Sequence, residues 1–176
     1  VLATGDFTHP QYFKELKMKL SRKEENGLYE YNGMRFILST EVANFFQLNE
    51  NGKTKKIHNI VLAPSLAVVE QINDILGKDQ NLNFDGRPIL KMSCAELVEK
   101  MNKISKEIVI IPAHVWTPWF GVFGSVSGVN SIEEAFEDKH KNIFALETGL
   151  SSDPAMNWRI SKLDKYTLIS NSDCHS

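Results

Sequence analysis

The sequence predicts an α/β fold in which short buried strands alternate with amphipathic helices, and three observations carry that prediction. Apolar runs of strand length recur at residues 1–4, 35–40, 58–63, 108–112, 143–147 and 167–171. They are rich in Ile, Val, Leu and Phe without strict alternation, which suits strands covered on both faces. Helix-start signals fall between them. The chain of 176 residues, with 42% hydrophobic and 24% charged positions, has the size and composition of one globular domain. Parallel strands flanked by helices are therefore expected, as an open doubly wound sheet or a β/α barrel.

The elements follow in order. After the first strand, Pro10 at a first-turn position opens a helix with Phe13, Leu16 and Leu20 at helical spacing. The second and third strands flank Asn49-Glu50-Asn51-Gly52-Lys53, which reads as a turn. Ser65 precedes Leu66, Val69, Ile72 and Leu76, closed by Gly77, and residues 77–87 read as a polar loop. Capping boxes open two further helices, Ser93-Cys94-Ala95-Glu96 before Leu97, Met101 and Ile104, and Ser131-Ile132-Glu133-Glu134 before Phe136. The expected order is β-α-β-β-α-α-β-α-β-α-β. No Gly-rich phosphate loop follows any strand, which argues against a nucleotide-binding sheet. There is no linker, internal repeat or low-complexity tract.

Composition narrows the partners. With 20 Lys+Arg against 22 Asp+Glu the net charge is −2, so no global basic field points to nucleic acid or an anionic membrane, and any such partner must meet a local patch. No run approaches the roughly 18 apolar residues of a membrane span. The opening Val1-Leu2-Ala3-Thr4-Gly5-Asp6 lacks the regions of a secretory signal. Cys94 and Cys174 are too few for a disulfide scaffold, so a soluble, reduced, cytoplasmic setting is expected. The missing initiator Met and the terminal Asp173-Cys174-His175-Ser176, a motif rather than a tail, suggest an excerpt of a longer protein.

Polar residues collect where strands end. Asp6 and His9 follow the first strand, Glu41 the second, His114 the fourth; Glu147 ends the fifth, and Asp173 and His175 follow the sixth. In a parallel β/α fold such ends share one rim, where catalytic groups converge. Neutral imidazole and carboxylate oxygen suit zinc, manganese or iron, and one carboxylate can bridge two ions. A multi-metal hydrolytic centre is the sharp expectation.

Each position also has a plainer role. His140, between Lys139 and Lys141, reads as a solvated surface residue and is left out. His9, His114 and His175 could be structural histidines or helix caps, and His58 opens its strand instead of ending it. Glu147 could orient a ligand or pair with Arg159. Asp6 and Asp153 could be caps, and Asp6 is kept as a ligand candidate. The run Trp116-Thr117-Pro118-Trp119-Phe120 with Phe123, followed by flexible Gly121, Gly124, Ser125, Ser127 and Gly128, could stack on a base, frame a lesion pocket or plug a barrel mouth. Lys53, Lys55, Lys56 and Arg87 are phosphate contacts or a solvated charge run.

Four strings, Thr4-Gly5-Asp6-Phe7-Thr8-His9-Pro10, Pro112-Ala113-His114-Val115-Trp116-Thr117-Pro118-Trp119-Phe120, Glu147-Thr148-Gly149-Leu150-Ser151-Ser152-Asp153-Pro154 and Ser170-Asn171-Ser172-Asp173-Cys174-His175-Ser176, resemble the endonuclease Q branch of the polymerase and histidinol phosphatase (PHP) superfamily. The resemblance implies that residues 1–176 are part of one PHP-type metal-dependent hydrolase domain, a distorted, TIM-like β/α barrel, incomplete here because an N-terminal strand and a C-terminal part are absent. It implies two or three divalent ions, zinc first, with manganese or magnesium as alternatives. Glu41 would bridge them and, with Asp173, be catalytic. His58 and His114 would be neighbouring ligands, Asp173 and His175 the closing Asp-x-His pair, and Asp6 or His9 would serve the remaining ion, with Glu147 also in the metal set. Trp116, Trp119, Phe120, Ser151 and Arg159 would contact substrate. The implied activity is DNA repair by nicking on the 5′ side of deaminated bases (uracil, hypoxanthine) or of abasic sites, so the expected partner is damaged DNA and not a membrane. Two features depart from the family: its opening His-x-His is absent, and Cys174 stands where a small residue is usual. The rival readings are a phosphoesterase of the histidinol phosphatase type and a non-catalytic barrel that binds DNA or protein.

Overall fold

The computed structural model describes residues 1–22, 27–50, 52–83 and 87–173. In chain order its elements are β1 (Leu2–Ala3), α1 (Pro10–Lys19), β2 (Ser21–Arg22), β3 (Leu28–Tyr31), β4 (Met34–Phe46), β5 (Lys55–Ala63), α2 (Leu66–Leu76), β6 (Ile89–Leu90), α3 (Cys94–Ile104), β7 (Val109–Pro112), α4 (Ile132–Phe136), a 3-10 turn (Glu137–Asn142), β8 (Ala145–Glu147), α5 (Pro154–Asn157), a second 3-10 turn (Ser161–Leu163) and β9 (Thr167–Ile169).

The helix starts follow from local chemistry. Ser65 Oγ accepts from Val68 N at 3.2 Å. At α3 the capping box is complete, with Glu96 N donating to Ser93 Oγ at 3.1 Å and Ser93 N to Glu96 Oε2 at 2.7 Å. The expected second box is only half formed: Ser131 Oγ accepts from Glu134 N, but Glu134 Oε2 reaches one residue further back, to Asn130 N. Asp153 caps α5 through Met156 N.

The sheet differs from the parallel arrangement expected. Its central path β2-β3-β4-β5-β7 is antiparallel throughout, and only the β1–β4, β4–β6 and β8–β9 pairs are parallel. Connection length explains the β4–β5 pairing, because residues 47–54 are too few for a parallel crossover, which needs about a dozen or more; β5 and β7 are antiparallel although residues 64–108, with α2 and α3, lie between them. Asn32 and Gly33 link β3 to β4 with φ of 50° and 76°, the left-handed pair that a tight hairpin with right-handed strand twist requires. The described strands form a seven-stranded sheet and a separate two-stranded sheet, with no closed barrel among them.

Antiparallel pairing gives the two central strands distinct faces. Leu38, Thr40, Val42 and Asn44 of β4 lie opposite Ala63, Val61, Asn59 and Ile57 of β5, all buried in the core. That face carries α2 and α3, whose Val69, Ile72, Leu76, Leu97, Val98 and Met101 join the same core cluster. The other face carries Glu41, Ala43 and Phe45 against Ile60, His58 and Lys56. Glu41 therefore lies within a strand that continues to Phe46, and His58 within one that begins at Lys55, instead of at strand ends.

The buried face includes a polar network. Asn44 Nδ2 donates to Met92 O at 3.2 Å and Ser93 O at 3.3 Å, while Asn59 Nδ2 donates to Asn44 Oδ1 at 3.0 Å and contacts Cys94 Sγ at 3.4 Å. Burial pushes the Cys94 thiol up to about 12, with Asn59 opposing weakly. Iodoacetamide at pH 8 is expected to leave Cys94 unmodified in the folded protein and to alkylate it in urea, as read by peptide mass spectrometry; rapid native labelling would contradict this burial. No helix among the described residues is long and apolar enough to cross a membrane.

Candidate metal centre

Strand register brings the central residues together. Ala43 lies opposite His58, so Glu41, two residues earlier on the same face, is the diagonal neighbour of His58. On the other side of β5, Asn59 lies opposite Pro112, and Ala113 N donates to His58 O at 3.0 Å. The next residue, His114, leaves the strand with a left-handed φ of 32°. Glu147, 2% exposed at the end of β8, holds that turn: its Oε2 accepts from His114 N at 2.7 Å, and its carbonyl accepts from Val115 N at 3.0 Å.

Three side chains converge there. Glu41 Oε1 lies 2.8 Å from His58 Nδ1 and 3.4 Å from His114 Nε2, and the two ring nitrogens are 3.1 Å apart. Arg87 Nε lies 2.7 Å from the same oxygen, and Arg87 Nη2 is 3.7 Å from Asp173 Oδ1, which ties Asp173 to the edge of the cluster. Despite these short distances, Glu41 Oε1 is buried without a hydrogen bond of good alignment.

This donor set fits a divalent ion. Tetrahedral coordination at about 2.0–2.1 Å places ligand atoms about 3.4 Å apart, and the ligand atoms of Glu41, His58 and His114 all lie within 4.8 Å of one another. Burial opposes charge on every member. At Glu41 the contacts with His114, His58 and Arg87 overcome it and hold the carboxyl well below the usual carboxylate range. At His58 burial prevails and lowers the pKa, whereas at His114 the charges of Glu41 and Asp173 outweigh burial and raise it. An ionised Glu41 and a neutral His58 are the forms that coordinate metal.

The remaining predicted ligands are not members of this three-residue group or lie outside the described residues. His9 Nδ1 caps α1, accepting from Tyr12 N at 3.5 Å, and His9 N donates to the carbonyl of exposed Asp6 at 2.9 Å. Neither belongs to the Glu41–His58–His114 group. His175, with Cys174, lies outside the described residues. His140 sits in the first 3-10 turn, its Nδ1 2.6 Å from Glu137 O. Glu147 makes no ion pair with the exposed Arg159 among the described residues; its carboxylate orients His114.

The aromatic run forms one wall. Phe120 stacks on the His58 ring at 4.3 Å and 14°, and its carbonyl accepts from His58 N at 2.9 Å. Phe45 lies beyond Phe120 at 6.4 Å, with Lys56 over the Phe45 ring. Trp116 packs on Phe123 at 4.7 Å and donates its indole N–H to Asn157 Oδ1 at 2.8 Å, whereas Trp119 is 55% exposed. Ser151 is exposed. The glycines that follow were expected to be flexible. Instead a Cβ on Gly121, Gly124 or Gly128 would come within 2.4–2.9 Å of backbone atoms, so these residues permit a tightly folded loop.

Sequence reasoning named neither Thr117, Gly149 nor Asn157 as site residues: Gly149 and Asn157 meet His114 and Trp116, which are far away in sequence, and the Thr117 hydroxyl meets the His114 ring through a turn that no motif marks. Glu147→Ala leaves the buried His114 N–H without an acceptor and frees the turn. We expect metal affinity to fall about 10–100-fold, measured by competition with a chromogenic chelator; an unchanged affinity would refute the orienting role.

No family model matches the chain. It is 29% identical over 119 residues to the uncharacterized protein MJ0043 of Methanocaldococcus jannaschii, covering 67% of this chain and 12% of that protein. It is 28% identical over 184 aligned positions to the uncharacterized protein YqxK of Bacillus subtilis, covering 100% of this chain and 44% of that protein. Among solved structures it is similar to the lesion-specific endonuclease PfuEndoQ from Pyrococcus furiosus, with TM-score 0.82 and 30% identity over 99% of this chain and 40% of that one. The same values relate it to an endonuclease Q in complex with a 27-mer duplex substrate carrying an abasic lesion at the active site. The chain thus has an endonuclease-Q-like fold and spans less than half the length of each of these proteins.

Proposed function

We propose that this chain forms the metal-bearing part of a DNA repair endonuclease of the PHP type, its sheets being part of a distorted β/α barrel. The supporting observation is the convergence of Glu41, His58 and His114 on one buried carboxylate oxygen in a chain that shares its fold with endonuclease Q. Bound there, two or three divalent ions, zinc first and manganese or magnesium otherwise, would supply Lewis acidity and lower the pKa of a water for attack on the phosphodiester.

The protein's own groups do the rest. Glu41 would supply the bridging charge, and the two imidazoles would fix the direction of ligation. Asp173, with His175, would close the ligand set, and Asp6 or His9 would serve a further ion. Phe120 holds the His58 ring, Glu147 the His114 backbone. Exposed Trp119 offers a flat face on which a displaced base can stack, with Trp116, Ser151 and Arg159 along the same chain segments, and Lys56 beside Phe45 offers charge to a phosphate. Turning a nucleotide out of the stack costs least where the base is mispaired or missing, which supplies part of the selectivity for deaminated and abasic sites.

The test uses the intact protein with labelled duplexes carrying one uracil, hypoxanthine or abasic site, an undamaged duplex and a panel of phosphate monoesters, each with and without EDTA, alongside metal analysis. Nicking 5′ to the lesion, abolished by EDTA, is expected. Monoester turnover without nicking would replace this reading with a histidinol-phosphatase-type activity. Lesion binding by metal-free protein indifferent to chelator would replace it with a non-catalytic platform.

A further inference from the structure

We infer that Thr117 is a positioning residue: its hydroxyl holds His114 in the tautomer protonated at Nδ1, which leaves the Nε2 lone pair aimed into the cluster. The argument is a count of hydrogens. Thr117 Oγ1 lies 2.7 Å from His114 Nδ1, 2.9 Å from His114 O and 2.9 Å from Trp119 O. A hydroxyl has one proton to give. Both carbonyls can only accept, so the single proton goes to one of them or is shared between the two, and the ring nitrogen at 2.7 Å must be the donor facing a hydroxyl lone pair. Were Nδ1 unprotonated and the hydroxyl donating to it, two carbonyl oxygens would face hydroxyl lone pairs at 2.9 Å with no proton between.

The consequence falls on the opposite nitrogen. In the neutral ring, the form that coordinates metal, that one N–H sits on Nδ1 and Nε2 is bare, 3.4 Å from Glu41 Oε1 and 3.1 Å from His58 Nδ1. The turn supports the same geometry, since Thr117 N donates to His114 O at 3.0 Å and brings the hydroxyl back over its own histidine. Outer hydrogen-bond partners of ligating histidines set both tautomer and ring direction. Because the effect on ion binding rests on the metal reading proposed above, the test separates the two.

Zinc and manganese affinity of the intact wild-type protein is measured by chelator competition, together with Thr117→Val, which keeps the β-branched shape, and Thr117→Ser, which keeps the hydroxyl. Nitrogen-15 spectra of histidine-labelled, metal-free wild type, recorded at alkaline pH where the ring is neutral and with His114 assigned through His114→Gln, report the tautomer directly. The expected result is an Nδ1–H tautomer in wild type, an affinity loss of about 10–100-fold in Thr117→Val, and recovery in Thr117→Ser. An Nε2–H tautomer in wild type overturns the inference even if Thr117→Val fails to fold. So does wild-type affinity in Thr117→Val, or an equal loss in Thr117→Ser. A wild-type protein that binds neither ion but shows the Nδ1–H tautomer upholds the positioning role and overturns the metal reading alone.

Discussion

Under the function proposed above, Glu41→Gln is expected to reduce ion-dependent nicking of lesion DNA by at least about 10²-fold, since loss of a mere supporting partner of a metal ligand already costs about 10–100-fold. The substitution preserves shape, removes the charge and turns one acceptor oxygen into an amide donor. Glu41 Oε1 is the atom that His58, His114 and Arg87 all approach within 3.4 Å, and it is buried. Glutamine puts a neutral amide there, which neither bridges cations nor balances Arg87. Metal content measured alongside single-turnover nicking checks the prediction, and a variant retaining both at wild-type levels would remove Glu41 from the centre.

The same variant has a signature in acid. The folded-state pKa of Glu41 lies below the ordinary value of 4.5, so its contribution to stability is present above that value and lost as pH falls through the depressed range. Chemical denaturation of metal-free protein from neutral pH into this range should show wild-type stability falling more steeply than that of Glu41→Gln.

Gly149→Ala is expected to lower folding stability by about 2–5 kcal/mol and nicking by about 10²-fold, although Gly149 offers no side chain to the reaction. Its φ is +66°, and a Cβ there would lie 2.4 Å from His114 Cβ and 2.5 Å from His114 Cα. The His114 backbone is bound to Glu147, two residues before Gly149, so relief must displace either the histidine or the segment that holds it. Gly33→Ala is the comparison: its φ is +76°, but nothing lies within 4 Å of the added carbon. That variant should lose only about 1–2 kcal/mol from the left-handed backbone and keep its activity. Thermal denaturation and nicking rates for the pair separate backbone strain from collision; equal behaviour would mean that contact with His114 is unimportant.

Local signals were readable where they act over a turn or less. Ser65, Ser93 and Ser131 start helices because a hydroxyl meets an orphan N–H three residues on. His9 belongs to the same class, and its capping role competes directly with the ligand role its residue type suggests. The hairpins were also encoded: Asn32-Gly33 carries the tight-turn signature, and the turn read at residues 49–53 implied an antiparallel pair. The parallel reading came from taking apolar runs without their connection lengths.

By itself, then, the chain determined its helix starts, its apolar strands and a short set of imidazole and carboxylate groups able to hold cations. Which of those groups meet was decided by tertiary structure. The pairing of Ala43 with His58 places Glu41 on the diagonal, and a one-residue slip would turn one of them to the opposite face. Glu147, Gly149 and Thr117 then set the turn that carries His114. The Glu147 and Gly149 contacts join residues far apart in sequence, the second through the space left by a missing Cβ, and the local Thr117 contact depends on how that turn is held; none leaves a periodicity or motif in the chain.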